Sequence, residues 1–207
     1  MSEVMAIEGI ASDLARLHGY HTEIRVPYIK ADSTKNSPGD IDVLGINQHG
    51  ETIAIECKAF GEPYAYPNWN TERRTSDIRG YIEELVHDCG DILDTRFEHV
   101  DSIDEIWIVF KGFFASEEDP RRTVVKRSRE AFTNELEAEF GVSIRLLPSH
   151  VLIQELIETV AIDMDFRRRR YASPAMEMVR HLCAVALHRP EEISTISDSL
   201  MEISDRD

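Results

Sequence analysis

A chain of 207 residues, 42% hydrophobic and 30% charged, is long enough for one well-packed domain with a small appendage, and it carries no repeat or low-complexity tract. No apolar run approaches the roughly 18–20 residues that span a bilayer, and the opening MSEVMAIEGIASD lacks a secretory leader's basic and apolar regions, so the expected location is cytoplasmic with no membrane partner. A formal net charge of -16 excludes long-range attraction to a polyanion, so any nucleic-acid contact must rest on local groups.

Of the 23 cations, eighteen are Arg and five are Lys, a bias that resembles proteins adapted to high internal salt or encoded by GC-rich genes. At about 1 M salt the Debye length falls to about 3 Å, and local contacts decide binding. The three cysteines, Cys57, Cys89 and Cys183, are widely spaced and match no zinc or disulfide framework; they are expected to be reduced apolar fillers.

In chain order, residues 4–18 place Ile7, Ile10, Ala11, Leu14 and Leu17 at helical spacing, and Gly19 follows as a C-terminal glycine should. YHTEIRVPYI reads as a strand and KADSTKNSPG as a turn-rich loop. Two further strands, DIDVLGI and TIAIECKAF, are joined around residues 47–50. A loop with prolines and aromatics leads to a helix capped by Thr75 or Ser76 and running to about Asp94, with Ile78, Tyr81, Ile82, Leu85, Val86, Cys89, Ile92 and Leu93 on its apolar stripe. IDEIWIVFKGFF is apolar enough for a strand buried on both faces and is expected at the centre of the sheet. A helix over 121–140 ending at Gly141, the strand VSIRLLP and a helix over 149–162 complete the main domain, expected to span 1–162. The remainder, 163–207, holds the run Arg167 to Arg170, an amphipathic helix after Ser173-Pro174 and an acidic tail. The order indicates an α/β fold: a mixed central sheet flanked by helices, with a C-terminal helical extension.

The hairpin Gly39 to Phe60 carries charges where a strand would pack. Alternation puts Asp40 and Asp42 on one face of their strand, and Ala54, Glu56 and Lys58 on one face of theirs. A three-residue loop Gln48-His49-Gly50, with Gly50 left-handed, pairs Asn47 with Glu51 and hence Asp42 with Glu56, leaving Asp40 opposite Lys58. Opposed side chains have Cβ atoms about 4.5–5.5 Å apart, close enough for two carboxylates to share one divalent ion. Mg²⁺ on that pair, with a lysine beside it to orient or deprotonate water, suits phosphodiester hydrolysis. The plain alternative is a solvated strand face on which Lys58 pairs with a carboxylate.

The ordered set Glu8 in the first helix, Asp42 in GDIDVLG and Glu56-Cys57-Lys58 in IAIECKA resembles the PD-(D/E)XK nuclease superfamily, whose members share the restriction-endonuclease-like αβββαβ core. IEGIASDLARLHGY is similar to the first helix of Mrr-like restriction enzymes, and the set also fits a Holliday-resolvase-like member. The likeness covers about residues 4–150 and implies a Mg²⁺-dependent endonuclease, with Mn²⁺ as a substitute, acting on DNA in restriction, defence, recombination or repair. It implies Asp42, Glu56 and the Cys57 carbonyl as metal ligands, Lys58 acting on water, and Glu8 supporting the site. Two departures stand: Pro38 is not adjacent to an Asp, and Asp40 competes with Asp42 for the ligand role, the apolar neighbours of Asp42 and the register favouring the latter. Arg73, Arg74, Arg121, Arg122, Lys126 and Arg127 are the candidates for phosphate contacts. Tyr64, Tyr66 and Trp69 are weaker candidates for base stacking. A catalytically idle module of this fold that binds nucleic acid or a protein, an RNA-processing nuclease and a homodimer all stay open.

Overall fold

The computed structural model describes residues 3–29, 38–58, 71–96, 102–112, 114, 125, 127–162 and 174–188. The elements are α1 (Glu3–Leu17), β1 (Tyr20–Ile29), β2 (Pro38–Asn47), β3 (Thr52–Lys58), α2 (Thr71–Arg96), β4 (Glu105–Phe110), α3 (Arg129–Phe140), β5 (Ser143–Pro148), α4 (Ser149–Ile162) and α5 (Pro174–His188). The chain divides into two compact units, Met1–Leu152 and Ile153–Asp207. Among the described residues no helix is long and apolar enough to cross a membrane.

In the first unit the sheet has the order β1-β2-β3-β4-β5. β1, β2 and β3 pair antiparallel, while β3, β4 and β5 pair parallel, giving the expected mixed sheet in an α/β fold. The switch follows from connection length: four residues, 48–51, join β2 to β3, whereas α2 and α3 supply the crossovers that parallel strands need. β4 is buried almost throughout, as its composition required, but β3 holds the middle of the sheet, a correction to the placement of IWIVF.

Alternation sorts the strand residues. Ala54, Ile106, Ile108, Phe110, Ile144 and Leu146 join Ile78, Ile82 and Leu85 of α2 and Phe132 and Leu136 of α3 in one core. Residues of opposite parity, among them Val43, Ile53, Ile55 and Trp107, are buried on the other face, and α1 contacts β1, β2 and β3. Glu56 and Lys58 share the parity of Ala54 and therefore belong to the face that α2 covers.

Local signals explain most element ends. Gly19 (φ 93) and Gly141 (φ 69) close α1 and α3 in the left-handed conformation that glycine takes without a Cβ clash. α3 starts later than its basic run suggested: Ser128 caps it by accepting from the Ala131 N–H, and Val125 is drawn into a parallel bridge with Phe114. α2 starts at Thr71, before the expected cap. Val86, at the edge of the stripe about 80° round the helix from Ile78, is 42% exposed. On α1 the buried face runs through Glu8, Ala11, Ser12, Leu14 and Ala15, turned from the apolar stripe toward polar residues. Cys57 and Cys183 are buried.

Candidate active site

The hairpin register is the one that its loop dictates. The Asn47 N–H donates to the Glu51 carbonyl at 2.9 Å, Gly50 adopts φ 84, and Ile46↔Thr52 through Val43↔Ile55 face one another. There the pairing of β2 with β3 stops, although β3 stays paired to β4 as far as Lys58↔Phe110 and β2 stays paired to β1 as far as Ile29↔Pro38. The sheet therefore forks between β2 and β3. The next ladder bond would fall to the Cys57 N–H, and Asp42 takes it instead: its Oδ2 accepts from that N–H at 2.6 Å. The Asp42 carboxylate thus lies in the opening between the strands, 15 residues from its partner in sequence and buried with it.

Glu56 and Lys58 stand on the α2 side of the fork and form an ion pair. The Lys58 ammonium also lies over the Tyr81 ring, 4.5 Å from its centroid. Glu8 comes from α1, is buried to 2% exposure, and receives Arg25 in two bonds, Nε to Oε2 at 3.0 Å and Nη2 to Oε1 at 3.2 Å. Arg25 sits between the pairs Ile24↔Val43 and Val26↔Ile41, hence opposite Asp42, and has φ 57. A left-handed arginine inside a strand is strained, and the bidentate pair holds it there.

Electrostatics follow from crowding acids in a dry opening. Burial pushes the Asp42 carboxyl up; the Cys57 N–H and Lys58 oppose this, while Glu8 and Asp40 add to it. Burial and then the charge on Asp42 push Glu56 up to about 7, against the pull of Lys58. Lys58 is raised: burial would lower it, but Glu56, Asp42 and Tyr81 outweigh that. In the metal-free site the lysine is therefore held as an ammonium, a donor to water and to an anion.

Of the predicted site residues, Glu8, Asp42, Glu56, Cys57 and Lys58 come together at the fork. Asp40 is exposed and paired with Pro27, which leaves the buried position to Asp42. Among the described residues, each cationic candidate already has an interaction within the chain. Arg74 bonds Asp77 at 2.9 Å, Arg127 pairs with Glu135, and Arg73 is exposed at the start of α2 with an interaction of its own. Arg121, Arg122 and Lys126, like Tyr64, Tyr66, Trp69 and Arg167 to Arg170, lie outside the described residues.

Four residues at the site were not singled out from sequence: Arg25, Tyr28, Tyr81 and Glu84. Tyr28 of β1 donates to Glu84 Oε1 of α2 at 2.7 Å, and Glu84 adds to the upward push on Glu56. Tyr81 and Glu84 fall three residues apart beside Ile78, Ile82 and Leu85, and polar groups beside an apolar stripe were the available signal. Tyr28 reaches Glu84 because Gly39, its partner across the ladder, has no side chain; a Cβ there would lie 2.7 Å from Tyr28 Cζ.

Two outcomes follow. Arg25→Ala strands a buried carboxylate and should lower the urea midpoint, though by less than breaking a fully buried pair would, because the Arg25 side chain is half exposed. Arg25→Gly should be about 1 kcal/mol more stable than Arg25→Ala in urea unfolding, reversing the usual order in a strand, since glycine alone relaxes the left-handed backbone. Gly39→Ala should displace Tyr28 from Glu84 and lower the urea-derived stability by about 1–3 kcal/mol; an unchanged midpoint would mean that the ring moves freely.

Neither a family model nor a curated protein matches the chain. Among solved structures it is similar to a crystal structure described as a protein of unknown function, with 12% identity and a TM-score of 0.39 over 90% of this chain and 99% of that one. It is also similar to a repair endonuclease from Pyrococcus abyssi, with 14% identity and a TM-score of 0.33 over 72% of this chain and 47% of that one.

Proposed function

We propose that this chain is a metal-dependent nuclease that hydrolyses phosphodiester bonds, with DNA as the substrate. One observation carries the reading: the fork between β2 and β3, into which Asp42, Glu56, Lys58 and the Cys57 backbone converge while the flanking pairing persists. A sheet gives up ladder bonds and gathers buried acids at a cost, and such local inconsistency concentrates at functional sites.

The donor chemistry suits Mg²⁺, or Mn²⁺ in its place. Among the described residues no three His, Cys, Asp or Glu side chains form a metal-holding group. Mg²⁺ is commonly held by one or two carboxylates, with water and substrate oxygens completing its shell. Asp42 and Glu56 supply two, both destabilised as anions without a cation, and the Cys57 carbonyl points to the same side of β3 as the N–H that Asp42 takes. When bound, the ion would polarise the phosphoryl oxygen and acidify water. Lys58 donates to the attacking water and offsets charge on the phosphate as it becomes pentacoordinate. Glu56 and Tyr81 hold the ammonium in place, and Arg25 fixes Glu8 where its charge acts on Asp42.

The test is incubation of the purified chain with supercoiled, linear, single-stranded and branched DNA and with RNA, each with Mg²⁺, Mn²⁺ or EDTA at low and high salt. Metal-dependent cleavage of DNA supports the reading, and cleavage of RNA alone moves it to an RNA-processing enzyme. The pairing of both Glu8 and Glu56 with cations inside the chain favours one rival, a catalytically idle module of the same fold. Nucleic-acid or protein binding without cleavage in any metal would establish that rival.

A further inference from the structure

On the α2 side of the fork lies a cavity of about 290 Å³ whose walls include Tyr28, Asp40, Glu56, Lys58, Tyr81 and Glu84. Its size is near the lower end of small-molecule sites, enough for one ring system and too small for a turn of duplex. Its charge is the informative feature. Glu56 and Lys58 pair with one another on its wall and Asp40 and Glu84 add two more carboxyl groups, so away from Lys58 the walls disfavour an anion. Two tyrosines and Leu85 supply apolar surface, with one face of the Tyr81 ring already under the Lys58 ammonium, and Asp40 and Glu84 accept hydrogen bonds but cannot donate them when ionised. Glu84 is anchored by Tyr28 and Lys58 by Tyr81, so the walls are positioned before anything enters. The complementary ligand is planar, not anionic, and rich in N–H donors.

We propose that this cavity takes one unpaired nucleobase bearing an exocyclic amino group, next to the bond that is cut. The choice of a base rests on the nuclease reading, because the group attached beside a phosphodiester at Glu56 and Lys58 is a nucleoside. Adenine, cytosine and guanine each present an amino donor to Asp40 and Glu84, whereas thymine and uracil present carbonyl oxygens on either side of a single N–H. A stacked and paired base must first be extruded, which costs stacking and pairing energy and costs least where the base is mismatched or single-stranded. The substrate class is therefore nucleic acid with an unpaired adenine, cytosine or guanine beside the scissile phosphate. Stacking and amino recognition also suit a chain of net charge -16, which gains little from the phosphates of a long duplex.

Saturation-transfer NMR of the full chain with deoxyadenosine, deoxycytidine, deoxyguanosine and thymidine tests this without requiring turnover. The three amino-bearing nucleosides should bind about tenfold more tightly than thymidine, and in EDTA each 5′-monophosphate should bind no more tightly than its nucleoside. Asp40→Asn, a conservative change at an exposed residue, replaces an acceptor by a group that also donates and should collapse that preference. Tyr81→Leu should weaken all three by about tenfold. Equal binding of the four nucleosides, absence of binding, or a preference untouched by Asp40→Asn would overturn the proposal. Cleavage of oligonucleotides, measured in parallel, separates the two readings. Discrimination without cleavage sinks the nuclease and leaves the pocket; cleavage without discrimination sinks the pocket alone.

Discussion

Lys58→Ala should reduce single-turnover phosphodiester cleavage by about 10²- to 10⁴-fold, the range of a lost group that acts on the transferring proton or the developing charge. The variant should still fold, since Lys58 is partly exposed and its neighbours Ile55 and Cys57 carry the packing of β3. Metal binding should persist but tighten its dependence on pH, because Lys58 lowers the proton affinity of Glu56 and its loss lets that carboxyl rise further. Lys58→Arg separates the lysine's two contributions: charge is retained, but a planar guanidinium cannot copy the point donor held over Tyr81. Partial rescue by arginine would assign the lysine to charge, and none would assign it to positioning water. Asp42→Ala should lose both metal and activity and free the Cys57 N–H in the fork. Cleavage by Lys58→Ala at the wild-type rate would remove the assigned role.

The contrast between what was legible and what was not is sharpest along the hairpin. Loop length and Gly50 determine the β2–β3 register, so the proximity of Asp42, Glu56 and Lys58 could be derived from 20 consecutive residues. The end of that pairing at Val43↔Ile55 could not, since nothing in GDIDVLG says that Asp42 will occupy the Cys57 N–H. Arg25 was invisible for a related reason. Its place opposite Asp42 depends on the β1–β2 register, and the intervening loop is too long to set one by turn chemistry. Tyr28 and Glu84 meet across 56 residues of sequence, and only the folded chain brings them together. The basic run before α3 misled in the opposite direction: its periodicity extended the helix to Arg121, while Ser128 held the stronger local signal, a hydroxyl three residues before a free N–H. Arg127, expected to meet phosphate, is paired with Glu135 and lies near the Phe132 ring, which shows how an acidic chain occupies its few cations internally.

The largest stability effect should come from Glu56 and should change sign with metal. In the metal-free chain its carboxyl titrates at about 7, against 4.5 for an unperturbed glutamate, chiefly because burial penalises the anion. Between those values the folded chain keeps a proton that the unfolded chain has released, so stability falls as pH rises from about 4.5 to about 7. The full shift corresponds to a loss on the order of 3 kcal/mol. Asp42, moved in the same direction, adds a fall of the same sign. Urea midpoints in EDTA should therefore drop across this window, and Glu56→Gln should flatten the drop and exceed wild type above pH 7. Adding Mg²⁺ at pH 8 should restore wild-type stability, by about 2.7 kcal/mol at a hundredfold excess over its dissociation constant, since the ion binds the folded pair and not the unfolded chain. At pH 5, where Glu56 is protonated, and in Glu56→Gln at any pH, the same addition should do far less. Indifference of the wild-type midpoint to Mg²⁺ and Mn²⁺ at pH 8 would leave the fork as a cluster of buried acids with no cation to bind, and the idle module would then be the better account of the chain.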